Sequence, residues 1–453
     1  MIRNSKVKSS AGPNSKLQGG SEGRGGIPQG LTGRYVITFK DGATEAGIKL
    51  LSRSAGLHVT ALGFSREGMD VTALTKGDVV FPKLGIAVVS GQPDQIQLVG
   101  VESADPVLSI EAERIVYATN YPPILNPAYE AERRVGPEYL QGYRDAVNHL
   151  ANSFLASDEH GVAERRGAAI DTRRETWGLY ATQVFKSSYG GRGIKMAVLD
   201  TGLDLDHPDF AGRQIHAESF ISGETADDGN GHGTHTIGTS CGAKKPHAGP
   251  RYGVAYEAEI YAGKVLSNGG SGDDSGILAG IEWALSNRCQ IISMSLGAPA
   301  NVGDSYSQAY EQAARRALAA GTLIVAAAGN ESQRPERVEP VGHPANCPSI
   351  MAVAALDRTN NIAYFSCGGL ASDGGQVDIA GPGVAVYSSW PLSRQYKVEN
   401  GTSMATPHVA GVAALYAEAQ RLRGSDLWNA LTRTAKRLRL SSQDVGAGLV
   451  QAP

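Results

Sequence analysis

The chain has 453 residues, a formal net charge of −3 and 57 glycines. Its length is too great for one ordinary core and suggests two or three domains. A charge this close to neutral provides no general field for nucleic acid or an anionic membrane, so we expect neither as a partner.

Residues 1–32 are predicted to form a disordered tail. They include basic and small polar residues but no apolar run, which argues against a secretory signal. No later stretch reaches the roughly 18 uninterrupted apolar residues that a membrane-spanning helix needs. These features favour a cytoplasmic location, with export by a route that uses no signal peptide as the alternative.

The pattern of residues 33–118 predicts a small α+β domain. RYVITFK alternates as a strand does, and ATEAGIKLLSRSAG has helical spacing. GIAVVS, DQIQLVG and VLSIEAERIVYA then indicate a strand, a helix and a strand. Residues 119–175 are predicted to be a connector, because NYPPILNP contains prolines that forbid regular structure and PEYLQGYRDAVNHLANSFLA predicts a single helix.

Short β-branched runs alternate with helices in residues 176–453. The runs are IKMAVLD, EIYAGKV, CQIISMSLG, TLIVAAAGN and SIMAVAAL. This alternation predicts an α/β fold in which a parallel sheet has helices on both faces. Functional groups in such sheets gather beyond the carboxyl ends of the strands, which is where Asp200, Ser295 and Asn330 are expected.

Four residues of this region have the chemistry of one catalytic site. Ser403 lies where an apolar helix begins, and His232 lies between glycines at another helix start. Asp200 and Asn330 each end a strand. Singly, each has an ordinary explanation as a cap, a structural histidine or a turn residue. Together they supply a nucleophile, a base, a carboxylate that orients the base and an oxyanion donor, which favours acyl transfer by a serine.

The motifs VLDTGLDLDHPDF, HGTHTIG, SMSLG, AAAGN and NGTSMATPHVAG resemble those of the subtilisin-like serine endopeptidases. The resemblance runs from about Trp177 to the end of the chain, and the order Asp, His, Ser is that of subtilisin. It implies that Asp200 orients His232, that His232 is general base and then general acid, and that Ser403 attacks the peptide carbonyl. Asn330 and the backbone N–H of Ser403 would donate to the oxyanion.

By the same resemblance, residues 33–118 occupy the place of the family's inhibitory prodomain. The implied enzyme is a zymogen that cuts its own chain close to Thr119 and is inhibited by its own prodomain. Its substrates would be proteins or peptides.

The resemblance also indicates where an extended substrate would lie, with residues numbered P1, P2 and so on backwards from the scissile bond. The substrate backbone would pair with residues 270–272 and 295–297. Asp274, beside Asp273, would favour a basic or polar P4 residue at a solvated rim, or the two aspartates would only cap the following helix. The expected substrate-binding residues are Leu266, Gly270, Gly272, Asp274, Ser295, Leu296, Gly297, Ala327, Gly329 and Gly342, with Ile277 also lining the P4 pocket and Gly342 at the base of the P1 pocket.

No cofactor or metal is expected. Many relatives bind a structural calcium ion with the aspartate that matches Asp209 and a loop after the histidine helix. In this chain that loop is GAKKPHAGPRYG, which brings Lys244, Lys245 and Arg251 but no carboxylate. Because Ca²⁺ prefers six to eight oxygen ligands, a structural calcium is possible but is not supported at this loop.

Three other functions stay open. A metalloprotease could use His232 and His235, although the H-E-x-x-H glutamate is missing. A peptide ligase would resolve the same acyl-enzyme with an amine instead of water. A prodomain that never leaves would make the protein an inert binding module. The four cysteines are too few and too widely spaced for a zinc ribbon or a disulfide scaffold, and Cys347 and Cys367 either pair or remain free thiols.

Overall fold

The computed structural model describes residues 30–62, 74, 77–102, 106–118, 173–370, 374–391 and 394–453. Most of the tail predicted for residues 1–32 lies outside these ranges, and so do the predicted connector helix and Thr119. The described chain folds as an N-terminal α+β domain followed by a larger α/β domain.

The N-terminal domain is a sheet with two helices on one face. Strand β1 lies between β4 and β5 and is antiparallel to both. The short strands β3 and β2 extend the sheet beyond β4. The elements are β1 (Leu31–Phe39), α1 (Thr44–Ser54), β2 (Thr60–Ala61), β3 (Val79–Phe81), β4 (Ile86–Val89), α2 (Pro93–Glu102) and β5 (Val107–Ala118).

Both faces of this sheet are apolar, because alternate side chains of a strand point to opposite faces. Ile37 and Val89 belong to the cluster that packs under helices α1 and α2. Val36 and Val88 belong instead to a cluster shared with the large domain. The N-terminal domain therefore has its own core on one side and uses the other side to dock.

The large domain contains a seven-stranded sheet in which every pairing is parallel. The strand order is β14-β13-β12-β10-β6-β8-β7. The elements are α3 (Trp177–Ala181), β6 (Lys195–Asp200), β7 (Ile215–Ser219), α4 (His232–Cys241), β8 (Glu259–Lys264), β9 (Ser271–Asp273), α5 (Asp274–Ser286), β10 (Ile291–Met294), β11 (Leu296–Gly297), α6 (Gln308–Ala319), β12 (Leu323–Ala327), β13 (Met351–Leu356), β14 (Ile379–Pro382), β15 (Val386–Ser389), β16 (Tyr396–Glu399), α7 (Thr402–Gln420), α8 (Gly424–Thr434) and α9 (Ser442–Val445), with 3₁₀ turns at Val184–Lys186 and Pro208–Phe210.

Helices cover both faces of the parallel sheet. Helices α5 and α6 pack on one face in the cluster that also receives the N-terminal domain. Helices α4, α7 and α8 pack on the other face in a second cluster. The predicted α/β fold class is confirmed. Within the described ranges, no helix combines the length and the apolar character needed to cross a bilayer.

Carboxylates at the interface cap helices across the domain boundary. Glu113 of β5 accepts a hydrogen bond from the backbone N–H of Ser275 at 3.0 Å, and Glu111 accepts one from Ala309 at 3.1 Å. Both donors lie in the first turn of a helix, where free N–H groups favour negative charge. In return, Glu282 of α5 accepts hydrogen bonds from the backbone of residues 83 and 84, each at 3.1 Å. Each domain therefore satisfies polar groups that the other leaves unpaired.

Helix α7 contains Pro407 near its start. A proline has no N–H, so residue 407 cannot donate to the carbonyl of Ser403 four residues earlier. The hydroxyl of Ser295 donates to that carbonyl instead, at 2.8 Å. Because Ser295 directly follows strand β10, this bond ties the start of α7 to the carboxyl edge of the sheet.

We predict that Ser295→Ala lowers the free energy of unfolding by about 1–3 kcal/mol, because it removes the hydroxyl that donates to the buried carbonyl of Ser403. Pro407→Ala restores an N–H at position 407, so Ser295→Ala should cost about 1 kcal/mol less in that background. Urea unfolding of the double-mutant cycle measures the difference.

A matched control is Thr239→Ala, which removes another buried hydroxyl that donates to a helix carbonyl, that of His235. Its cost should not depend on residue 407. Equal costs of Ser295→Ala in both backgrounds would contradict the proline explanation.

Candidate active site

Asp200 and His232 meet at the carboxyl edge of the sheet. Asp200 is the last residue of β6, and His232 is the first residue of α4. His232 Nδ1 lies 2.6 Å from Asp200 Oδ1, and both side chains are buried. The carboxylate is held by two further donors, the N–H of Thr201 at 2.7 Å and the hydroxyl of Thr236 at 3.0 Å. Asp200 therefore fixes both the orientation and the tautomer of the ring, with the proton on Nδ1.

The surroundings of His232 favour its protonated form. Burial works against a charged ring, but the Asp200 carboxylate, its hydrogen bond and the more distant Asp228 and Glu399 raise the pKa of His232 above its ordinary value of 6.5. Nε2 of the ring is buried and has no hydrogen-bond partner among the described residues. This nitrogen is the one positioned to take up a proton from a reacting group.

The turn that presents His232 depends on small residues and on Asp228. Oδ1 of Asp228 accepts hydrogen bonds from the backbone of Gly231 and the hydroxyl of Thr201, at 2.8 and 2.9 Å. Gly233 has no room for a side chain, because a Cβ there would lie 2.2 Å from the carbonyl oxygen of Gly202. The sequence analysis did not single out Asp228, although an Asp before a Gly-rich turn is a recognised turn signal.

Ser403 and Asn330 lie beside each other at the same edge. The Ser403 hydroxyl is buried and donates to the carbonyl of Ser295 at 3.1 Å. Oδ1 of Asn330 accepts hydrogen bonds from the N–H and the hydroxyl of Thr402, both at 2.9 Å. These two bonds orient the amide, and Nδ2 is its donor end. The residue that fixes Asn330 is the immediate neighbour of Ser403.

The end of strand β5 occupies a cleft between two short strands of the large domain. On one side Ile115, Val116 and Tyr117 pair antiparallel with β9. On the other side β11 pairs in the same sense, with Leu296 opposite Ala118 and Gly297 opposite Tyr117. The N–H of Ala118 also donates to the carbonyl of Gly270 at 2.9 Å. The two backbone segments predicted to hold a substrate thus hold a strand of this chain.

The side chain of Val116 is buried in this cleft. It belongs to the same apolar cluster as Leu266, Ile277 and Leu296, the residues predicted to form the P4 pocket. Gly272, opposite Val116, has no space for a Cβ, which would lie 2.2 Å from the carbonyl oxygen of Val265. The next side chain, Tyr117, is 40% exposed.

Of the two aspartates near this pocket, Asp273 caps the helix as one alternative predicted, and Asp274 is buried. Asp273 caps α5, since its Oδ1 accepts from the N–H of Gly276 at 2.8 Å. Asp274 is only 2% exposed, so it does not stand at a solvated rim. Its carboxylate accepts hydrogen bonds from the backbone N–H of Arg114 at 2.8 Å and from the Tyr310 hydroxyl at 3.1 Å. Asp273 therefore has the capping role, whereas Asp274 accepts a hydrogen bond from Arg114, two residues before Val116 in β5.

The residues predicted for the P1 pocket gather next to Asn330. Ala327 ends β12, and the N–H of Gly329 donates to the Thr402 hydroxyl at 3.2 Å. The N–H of Gly342 donates to the carbonyl of Ala328 at 2.9 Å. A Cβ on Gly342 would lie 2.7 Å from the carbonyl oxygen of Ala298, so a side chain there would not fit without movement.

The residues around Asp209 do not fit a calcium ion. Oδ1 of Asp209 accepts hydrogen bonds from the N–H of His247 at 2.5 Å and from the Tyr396 hydroxyl at 3.2 Å. Oδ2 accepts one from the Tyr252 hydroxyl at 2.5 Å. Burial, together with the charge of Asp209, raises the pKa of Tyr252, which keeps this hydroxyl protonated. Protein N–H and O–H donors thus point at the carboxylate where a cation would need oxygen lone pairs.

His235 does not share a metal position with His232. Its Nε2 donates to the carbonyl of Val386 at 3.1 Å, and burial lowers the pKa of His235 to about 3. All four cysteines are buried free thiols, so Cys347 and Cys367 do not pair. Among the described residues, no group of three or more His, Cys, Asp or Glu side chains is arranged to hold a metal ion.

Comparison with known proteins agrees with this site. The profile of the subtilase family matches residues 191–448. Subtilisin DY of Bacillus licheniformis is 42% identical over 262 residues, which are 57% of this chain and 90% of that protein. Subtilisin Savinase of Lederbergia lenta is 42% identical over 281 residues, 61% of this chain and 96% of that protein.

Subtilisin E of Bacillus subtilis (strain 168) is 39% identical over 270 residues, 59% of this chain but only 63% of that protein. The profile match covers more than half of the chain, and the relatives at 42% identity are covered almost completely. With Asp200 and His232 paired at the carboxyl edge of a parallel sheet, the chain belongs to the subtilase family and is a subtilisin-like serine endopeptidase.

Proposed function

We propose that this endopeptidase is made as a zymogen whose N-terminal domain occupies the substrate cleft and is cut from the catalytic domain by Ser403. One observation carries the proposal: the end of β5 pairs with both β9 and β11, as an extended substrate would. The register supports one particular bond. Continued by one residue, the pairing of Ala118 with Leu296 would bring residue 119 opposite Ser295, whose carbonyl accepts the Ser403 hydroxyl.

Thr119 would therefore be P1, and the bond between Thr119 and Asn120 would be cut. Ala118 is then P2, Tyr117 P3 and Val116 P4. Thr119 itself lies outside the described residues, and its assignment as P1 extends the register by one residue. The buried Val116 is consistent with an apolar P4 preference, in contrast to the basic or polar preference expected from Asp274.

The chemistry follows from the assigned groups. Nε2 of His232 takes the proton of the Ser403 hydroxyl as Oγ bonds to the carbonyl carbon. The oxyanion accepts hydrogen bonds from Nδ2 of Asn330 and the N–H of Ser403. The peptide C–N bond then breaks, and the leaving amine receives the proton from His232. Water, activated by the same ring, releases the acyl group from Ser403.

Asp200 contributes by stabilising the imidazolium. The raised pKa of His232 reflects the same stabilisation, because the carboxylate favours the charged ring over the neutral one. Removing the prodomain would open the site and weaken the effect of burial, which lowers the pKa of His232. This pKa would therefore stay raised in the free enzyme.

After the cut, the prodomain is expected to remain bound as an inhibitor. Its carboxylates Glu113 and Glu111 still cap α5 and α6, and the apolar face of its sheet still packs on both helices. Nothing in these contacts depends on the peptide bond after Thr119. Activity toward other proteins would therefore begin only when the prodomain leaves or is degraded.

We predict that Ser403→Ala keeps the full-length mass, whereas the wild type yields a fragment that begins at Asn120, because only Ser403 is placed to attack this bond. Intact mass spectrometry of both purified proteins measures the outcome. Ser286→Ala, which removes a hydroxyl bonded within α5, is the control and should be processed normally. A Ser403→Ala protein that shortens on its own, or a wild type that is active while still full length, would refute self-processing.

We predict that Asn330→Ala lowers kcat by roughly 10²–10³ and changes KM less, because the oxyanion donor acts mainly in the transition state. This size of effect is known for the corresponding donor in subtilisin itself. Asn330→Asp keeps the shape but replaces the donor with a carboxylate, so its kcat should fall at least as far. Steady-state kinetics on a peptide substrate decide, and an unchanged kcat would remove Asn330 from the site.

We also propose that the loop after α4 is held without calcium by the hydrogen bonds to Asp209. In the Ser403→Ala protein, which cannot digest itself, neither EGTA nor millimolar Ca²⁺ should shift Tm. Tyr252→Phe should lower the free energy of unfolding by about 1–3 kcal/mol, because it removes a donor from a buried carboxylate. A rise of Tm with Ca²⁺ that Asp209→Asn abolishes would contradict this, since a ligand that binds the native state must stabilise it.

A further inference from the structure

A cavity of about 280 Å³ lies between the domains, beyond the P4 pocket. Arg114 of β5 lines it from the prodomain side. Asp304, His343 and Asn346 line it from the catalytic domain. None of these residues takes part in the chemistry assigned above.

The catalytic-domain wall of this cavity carries a buried polar atom without a partner. Oδ1 of Asn346 is buried and has no hydrogen-bond partner among the described residues, whereas Nε2 of His343 lies 3.5 Å from Oδ1 of Asp274. Their side chains are more than nine-tenths buried. An unpaired buried acceptor is costly, so a wall of this kind favours a ligand that brings hydrogen-bond donors.

The backbone of Arg114 is already held at this wall. Its N–H donates to Oδ2 of the buried Asp274 at 2.8 Å. Arg114 lines the cavity together with residues of the catalytic domain, so it lies against that domain.

The charges at the cavity suit a cation. Asp274 and Asp304 are carboxylates of the catalytic domain near the position of Arg114. Within the prodomain, Nη1 of Arg114 lies 3.7 Å from Oε2 of Glu111, three residues earlier in the chain. A guanidinium has five N–H donors and no acceptor, which complements a wall with an unpaired amide oxygen and nearby carboxylates.

We propose that this cavity is a substrate subsite that binds an arginine side chain at P6, six residues before the scissile bond, in protein substrates as well as in the prodomain. The assignment rests on the proposed function, because P6 is counted from a cut after Thr119. The subsite comprises Asp274, whose carboxylate accepts the backbone N–H of the P6 residue, and the cavity residues Asp304, His343 and Asn346. It extends recognition two residues beyond the P4 pocket.

The test uses an internally quenched peptide with the sequence of residues 112–123, which carries Arg at P6. Its partner has citrulline at P6, which has nearly the same shape but no charge. With the processed wild-type enzyme in low salt, kcat/KM should be roughly 2- to 5-fold higher for Arg, the range of a partly solvated ion pair. The ratio should approach 1 in 0.5 M NaCl, where the Debye length is about 4 Å.

Two controls connect the preference to this cavity. An Arg and citrulline pair placed at P3, where the side chain of Tyr117 is exposed, should be cleaved at equal rates. Asp304→Asn, alone and with Asn346→Leu, should lower the P6 ratio by half or more. Asp426→Asn on α8 removes a charge that does not line the cavity and should leave the ratio as in the wild type.

Mass spectrometry of the products separates two kinds of failure. Cleavage between Thr and Asn with a P6 ratio of 1 would overturn the subsite and leave the proposed function intact. A ratio that persists in both cavity variants would also overturn it, because the preference would then arise elsewhere. Cleavage at a different bond would overturn the register and the subsite together.

Discussion

The geometry of the site depends on one constraint, that the strands of a parallel sheet end at the same edge. Asp200 ends β6, Ser295 follows β10, and Asn330 follows β12 by a short turn. Helices α4 and α7 then start at this edge and bring His232 and Ser403 to it. Residues far apart in the chain are thereby brought to one edge, where Asp200 bonds His232 and the carbonyl of Ser295 accepts the Ser403 hydroxyl.

The same edge explains why strand β5 of the N-terminal domain fits. Strands β9 and β11 border a narrow cleft on its two sides, and the backbone of β5 pairs with both. The fit therefore depends on backbone and on pockets at alternate side chains, with Val116 buried and Tyr117 exposed. Carboxylates at the ends of α5 and α6 add specificity, because a free strand without Glu113 and Glu111 would leave those helix ends to water.

Much of the fold and the catalytic site could be predicted from the sequence, because strong local patterns carry them. The runs of β6, β10, β12 and β13 are mostly apolar, and helix α7 has a long apolar sequence after a serine. Strands β7 and β14 were not predicted. They lie at the edges of the sheet, where IHAES is half polar and IAGP contains glycine and proline.

Other features required the three-dimensional structure. Spacing along the chain places Asp274 near the P4 pocket, but it does not show that the carboxylate is buried against Arg114 and Tyr310. The basic loop after α4 predicts a poor calcium site, but it does not show that Tyr252 of this loop and Tyr396 from a distant segment both donate to Asp209. The bond from Ser295 to the carbonyl of Ser403 likewise joins residues separated by more than a hundred positions.

The most direct test of the account is the reaction of the full chain and of the processed enzyme with a fluorophosphonate, followed by mapping of the adduct. A full-length protein with intact Ser403 is obtained with Asn120→Pro, since a proline after the scissile bond blocks the cut. The account predicts an adduct on Ser403 alone, formed much faster once the prodomain has been removed. An adduct on another residue, or equal rates with and without the prodomain, would contradict it.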